Sequence, residues 1–203
     1  MVIKAVLFDA DGVLQNPTAR IRCALGKLLA DQSSVDKFIA DIVAVERTCL
    51  TGQGDFVSDL KGVLVDWQSR ATIEEALQVW TTITPDENVL EVVRSLRAHS
   101  IKVALATNQQ SFRANHMKKT LGYDEVFNMT FYSCDLGLAK PAPEYFSLVV
   151  DQLEVRANEV LFFDDQESNV MGARSAGLHA EIFELDKGVG AMIHLLQDYN
   201  LNL

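Results

Sequence analysis

The chain has 203 residues, 48% hydrophobic and 23% charged, enough for the core of one large domain or of one domain carrying an insertion. Its 28 acidic and 18 basic residues leave a net charge of −10, which argues against general attraction to nucleic acid or an anionic membrane surface. No stretch is long enough to span a bilayer, and the apolar start is too short for a signal peptide, so the expectation is a soluble cytoplasmic protein.

The chain opens on MVIKAVLFDADGVLQN. Val2, Ile3, Ala5, Val6, Leu7 and Phe8 form a short apolar run that fits a strand buried on both faces. Asp9 and Asp11 follow with only Ala10 between them. In extended backbone, residues two apart share a side, so both carboxylates can face one small volume before Gly12 turns the chain. Such carboxylates repel each other unless a cation sits between them or one keeps its proton. The pair suits a phosphoryl transfer in which one Asp attacks phosphorus and the other handles the proton. Taken alone, DxDG also fits a plain turn.

From Pro17 to Thr82 the rhythm becomes helical. Ile21, Ala24, Leu25, Leu28 and Leu29 recur at three- and four-residue spacing, and Phe38, Ile39, Ile42, Val43 and Val45 do so again after a polar break. Further helices are expected over Phe56 to Trp67 and Ile73 to Trp80, with an exposed turn at Thr51 to Asp55 and the two tryptophans as core anchors. Together these make a small helical bundle. Cys23, Cys49 and Cys134 are odd in number and lack CxxC spacing, so they read as small buried hydrophobes rather than a disulfide framework or a zinc site.

After Pro85 helices and strands alternate. A helix around Val89 to Leu96 leads to a strand at Ile101 to Ala106, which ends in Thr107-Asn108-Gln109-Gln110. A helix over Ser111 to Leu121 stops at Gly122, a strand-like run covers Val126 to Ser133, and Pro141 and Pro143 suit the first turn of the next helix. Val160 to Phe163 reads as a strand closed by Asp164-Asp165. A helix to Ala176, a strand near Ala180 to Phe183 and a terminal helix follow. This alternation predicts an α/β fold, a Rossmann-like doubly wound parallel sheet whose ligands bind outside the carboxyl ends of the strands. Asp9, Asp11, Thr107, Asn108, Lys140, Asp164 and Asp165 all lie at or just past such ends, so they should converge.

These residues supply what a phosphate monoester with a bound cation requires. Asp9 is expected as nucleophile and Asp11 as general acid/base. Thr107, an amide after it, Asn108 and Lys140 would contact the phosphoryl oxygens, and Asp164 and Asp165 would hold Mg2+ with Asp9. Read singly, Thr107 also fits an N-cap, Lys140 a solvated loop lysine, the Asp164-Asp165 pair a helix cap and Asn169 surface decoration.

Phe8-Asp9-Ala10-Asp11-Gly12-Val13-Leu14, Ala106-Thr107-Asn108, Gly137-Leu138-Ala139-Lys140-Pro141 and Phe162-Phe163-Asp164-Asp165 stand in the order of the four motifs of the haloacid dehalogenase superfamily, which the chain resembles over most of residues 1–16 and 84–190. Val13 and Gln166 replace residues common in that pattern. The resemblance implies the roles given above, adds the Asp11 main-chain carbonyl to the metal shell, and makes residues 17–82 a helical type 1 cap inserted in a core of residues 1–16 and 83–203. The second Asp, rather than an aromatic residue, resembles the phosphoryl-transfer branches and disfavours carbon–halogen cleavage. The expected activity is a magnesium-dependent phosphatase acting on a small phosphorylated metabolite, of the sugar phosphate or nucleotide class. A sugar-phosphate mutase is the alternative, and a non-catalytic binding module is disfavoured because Asp9, Asp11 and Lys140 are all present. The segment Gln15 to Arg20, the turn Thr51 to Phe56, and Arg20, Arg22 and Arg47 are candidate substrate contacts. Monomer and homodimer stay open.

Overall fold

The computed structural model of the chain describes residues 2–15 and 19–202, so the expected boundary between residues 16 and 17 and the side chain of Arg20 lie outside the described residues. Five strands, β1 (Ala5–Phe8), β2 (Lys102–Thr107), β3 (Met129–Tyr132), β4 (Val160–Asp164) and β5 (His179–Ile182), form one parallel sheet in the order β3-β2-β1-β4-β5. Helices α1 (Ala19–Gly26), α2 (Val35–Cys49), α3 (Phe56–Asp66), α4 (Ile73–Thr81) and α5 (Glu87–Ala98) lie between β1 and β2. Then come α6 (Ser111–Lys119) and α7 (Tyr123–Val126), α8 (Ser133–Leu136) and α9 (Pro143–Leu153), α10 (Glu167–Ser175) and α11 (Val189–Asp198).

The period-2 geometry of a strand sorts the buried runs onto two faces. Val6, Phe8, Val103, Leu105, Leu161 and Phe163 pack on one side with Val93 and Leu96 of α5 and with Met192 and Leu196 of α11. Ala5, Leu7, Ala104, Ala106, Val160 and Phe162 pack on the other with Phe146 and Val149 of α9 and with Val170 and Ala173 of α10. The sheet is therefore covered on both faces, as its near-continuous apolar strands require. A third cluster, including Leu25, Phe38, Ile42, Phe56, Leu60, Ala76 and Trp80, forms the interior of a separate helical layer made by α1 to α4. Full burial of each of its large side chains contributes about 1.5–3 kcal/mol. Phe112 of α6 packs against this layer.

Some expectations change. The first strand begins at Ala5, and Val2 is exposed. The run Val126 to Ser133 shortens to Met129–Tyr132 because Gly122, at φ +67°, opens a helical turn that buries Tyr123, and Ser133 starts another. Pro143 opens α9, whereas Pro141 precedes it. Cys49 is buried, but Cys134 is half-buried and Cys23 is exposed. Among the described residues no helix is long and apolar enough to cross a membrane.

Candidate active site

Asp9 is the first residue past β1, the central strand, and its N–H continues the ladder by donating to the Phe163 carbonyl at 2.9 Å. The chain then coils tightly: the Ala10 carbonyl accepts from the N–H groups of Val13, Leu14 and Gln15. Gly12 stands at φ +78°, and a Cβ there would collide with the Asp165 carboxylate, so a residue without a side chain is needed for the first loop to meet the fourth. Thr107 and Asp164 are the last residues of the two strands that flank β1. The order in which the chain adds strands reverses here, from β2 and β3 on one side of β1 to β4 and β5 on the other, and the loops splay to leave a crevice.

Lys140, 4% exposed, reaches this crevice from the loop before α9. Its Nζ lies 2.8 Å from Asp9 Oδ1 and 2.6 Å from Asp164 Oδ2. Asn108 holds the lysine's main chain: its Nδ2 donates to the Lys140 carbonyl at 2.8 Å, and its Oδ1 accepts the Lys140 N–H at 2.9 Å. That side chain is accordingly a clamp on the Lys140 main chain, while Asn108 itself stays at the cavity lining. Asp164 is fully buried and already bonded on both oxygens, accepting from Lys140, from Asn169 Nδ2 and from the Gln166 N–H. Asn169 is thus buried and in use, not surface decoration.

Burial pushes the Asp9 carboxyl up to about 7 against the opposing pull of Lys140, with Asp164 and Asp11 adding to the rise. Burial also raises Asp165. It works against the Lys140 ammonium, but Asp9 and Asp164 outweigh it and its pKa rises. Oxygens of Asp9, Asp164 and Asp165 lie within 4.8 Å of one another. Three carboxylates face one ammonium, and hard oxygen donors this close suit a small divalent cation that balances the excess charge. Of the acidic pair at the end of β4, Asp165 is the one that lines the cavity and is only half-buried.

Asp11 faces a different set of partners. Arg113 of α6 closes on it with Nη1 to Oδ2 at 2.5 Å and Nη2 to Oδ1 at 2.7 Å, while Gln15 Nε2 and Gln109 Nε2 donate at 2.8 Å and 3.0 Å. Sequence reading missed Arg113 and the roles of both glutamines. The available signal was weak: Gln109 follows the Thr107-Asn108 strand end, and Arg113 lies four residues further on, in the first turn of α6.

Over the crevice the helical layer forms a roof, and a cavity of about 690 Å³ lies between them. Asp9, Asp11, Thr107, Lys140 and Asp165 contribute to its floor, and Leu25, Ile39, Glu46, Arg47, Leu50 and Trp80 to the opposite wall. Trp80, expected as a core anchor, is buried and also lines this wall. Its indole N–H donates to Glu46 at 2.6 Å, and burial raises the Glu46 pKa against that bond. Arg22 and Arg47 line the cavity as anticipated, although Arg22 pairs with Asp36 at 2.7 Å. In the turn after α2, Gly52 lies against the Cys134 carbonyl. The seven residues expected at the strand ends are therefore brought together.

The sequence matches the haloacid dehalogenase-like hydrolase family over residues 3–177. It is 25% identical over 183 residues to a phosphorylated carbohydrates phosphatase of Thermotoga maritima, covering 87% of this chain and 82% of that protein. It is 26% identical over 188 residues to a phosphoglycolate phosphatase of Yersinia pestis, covering 86% and 78%. Among solved structures, a HAD family enzyme of Bacteroides thetaiotaomicron in complex with magnesium and inorganic phosphate superposes with a TM-score of 0.78 at 22% identity, over 94% of this chain and 98% of that one. The L-2-haloacid dehalogenase of Xanthobacter autotrophicus gives a TM-score of 0.64 at 21% identity, over 88% and 76%.

Proposed function

Because the chain belongs to the haloacid dehalogenase-like hydrolases, we propose that it is a magnesium-dependent phosphatase that hydrolyses a small phosphate monoester through an aspartyl-phosphate on Asp9. The observation that carries this reading is the placement of Asp9 at the floor of the cavity, with Lys140 2.8 Å from its carboxylate and Asp11 beside it. The relatives named as phosphatases support it, as does the second Asp in the first motif.

In this reading Asp9 attacks phosphorus, an Asp9–phosphorus bond forms, and the bond from phosphorus to the leaving oxygen breaks. Asp11 gives that oxygen a proton, then takes one from the water that attacks the aspartyl-phosphate, which releases inorganic phosphate and restores Asp9. The Thr107 hydroxyl, the main-chain amide of Asn108 and the Lys140 ammonium orient the phosphoryl oxygens and offset their charge. Magnesium would be held by Asp9, the Asp11 carbonyl and Asp165, and when bound supplies positive charge to the same oxygens. Asp164 serves this arrangement by holding Lys140 with Asn169.

Residues 17–82 act as the cap of a core made of residues 1–16 and 83–203, excluding water and reading the substrate body. The 690 Å³ cavity suits a metabolite of sugar phosphate or nucleotide size, and Glu46, Arg22 and Arg47 offer groups for its polar atoms.

The test is turnover of 4-nitrophenyl phosphate with magnesium. Asp9→Asn should abolish it and leave the fold intact, and exhaustive chelation should stop the unmodified protein. Unimpaired turnover by Asp9→Asn would remove that residue from the mechanism.

A further inference from the structure

We propose that Arg113 is a positioning residue for Asp11, fixing the plane of its carboxylate and tying that orientation to the seating of α4. The proposal rests on the reading of Asp11 as the group that handles the proton. Arg113 is 5% exposed, and its guanidinium is almost fully used. Besides the two bonds to Asp11, Nε donates to the Trp80 carbonyl at 3.1 Å and Nη1 reaches Gln109 Oε1 at 3.2 Å. Trp80 belongs to α4 and bonds Glu46 of α2, so one chain of contacts runs from the roof of the cavity to Asp11.

A carboxylate offers about four lone-pair sites. Here Arg113 takes two, and the amides of Gln15 and Gln109 take one each. A leaving-group oxygen therefore reaches Asp11 only by displacing a donor. The two amides are neutral and singly bonded, whereas the fork is charged and bidentate, and charge-assisted bonds are about twice as strong. An amide yields first. The fork stays and holds the carboxylate plane while the freed oxygen carries the proton; as the phosphorus–oxygen bond breaks, its electron pair goes to the leaving oxygen, which takes that proton. If α4 moves away, Nε loses its acceptor and the fork its anchor.

The readout is kcat/KM for two one-ring esters: 4-nitrophenyl phosphate, whose nitrophenolate departs without a proton, and benzyl phosphate, whose alkoxide needs one. Arg113→Met should lower kcat/KM for benzyl phosphate about a hundredfold, the cost of a misplaced catalytic group, and lower it far less for 4-nitrophenyl phosphate. Arg113→Lys keeps the charge without the fork and should recover part of the loss. A variant carrying both Asp11→Asn and Arg113→Met removes both halves of the buried pair, strands no charge, and decides the matter alone if the single variant does not fold. It should lose no more with benzyl phosphate than Asp11→Asn does, since Arg113 then has nothing to position. Additive losses in the double variant, or equal losses with both esters in folded Arg113→Met, overturn the proposal. An Asp11→Asn protein that treats the two esters alike instead overturns the acid role of Asp11.

Discussion

Lys140 is a buried ammonium between two carboxylates, and its removal leaves Asp9 and Asp164 facing each other without compensation. Breaking one side of such a buried set costs about 3–5 kcal/mol. Lys140→Met should therefore both stop turnover and lower the urea midpoint, and a variant as stable as the parent would count against the charge balance described for this site. Glu159 lies on the opposite side of the sheet's strand ends, where Arg156 and Lys4 pair with it and hold its pKa down from 4.5 to about 2. A depressed carboxyl contributes stability that is complete above its ordinary pKa and lost as pH falls through the folded one. The stability gap between the parent and Glu159→Gln should accordingly be constant above about pH 4.5 and close toward pH 2. Thermal melts across that range check it, and a gap that widens in acid would reverse the sign.

At the scale of elements, α10 positions the loop that carries Lys140. A Cβ on Gly172 would overlap the Pro141 carbonyl oxygen, which is backbone and cannot swing aside. Gly172→Ala should destabilise by about 1–3 kcal/mol, as overpacking does, and should slow turnover by shifting Lys140 away from Asp9. Full activity with full stability would show that the helix has room to retreat. In the helical layer, Thr72 and Glu75 form a reciprocal capping box at the start of α4. Thr72→Ala should cost about 1 kcal/mol in denaturant unfolding, and the effect should reach the site through Trp80, whose carbonyl accepts from Arg113 and whose side chain lines the cavity.

For the whole molecule, metal and fold are linked, since a cation that binds only the folded carboxylates raises the melting temperature. Magnesium at about a hundred times its Kd should add about 2.7 kcal/mol, and Asp165→Asn should lose most of that gain. A melting temperature indifferent to magnesium would argue against the metal reading. Much of the fold was legible beforehand because buried parallel strands and amphipathic helices write their periods into local sequence: β1, β2 and β4 ended where Asp9, Thr107 and Asp164 made an apolar run polar. The run Val126 to Ser133 misled because its two end residues belong to short helical turns, Val126 to α7 and Ser133 to α8, and only Met129–Tyr132 between them pairs as β3. At the site, the residues at strand ends could be named from order and residue type alone, and so could the α/β class. The partners of each could not. Asn108 as a clamp on Lys140, Asn169 as a support for Asp164 and Arg113 as the fork on Asp11 depend on contacts between residues 5 to 102 positions apart. Local sequence carries backbone preference and burial, which are short-range properties. Which donor meets which carboxylate is set by how the loops of separate strands close over one crevice, and only the tertiary structure decides that.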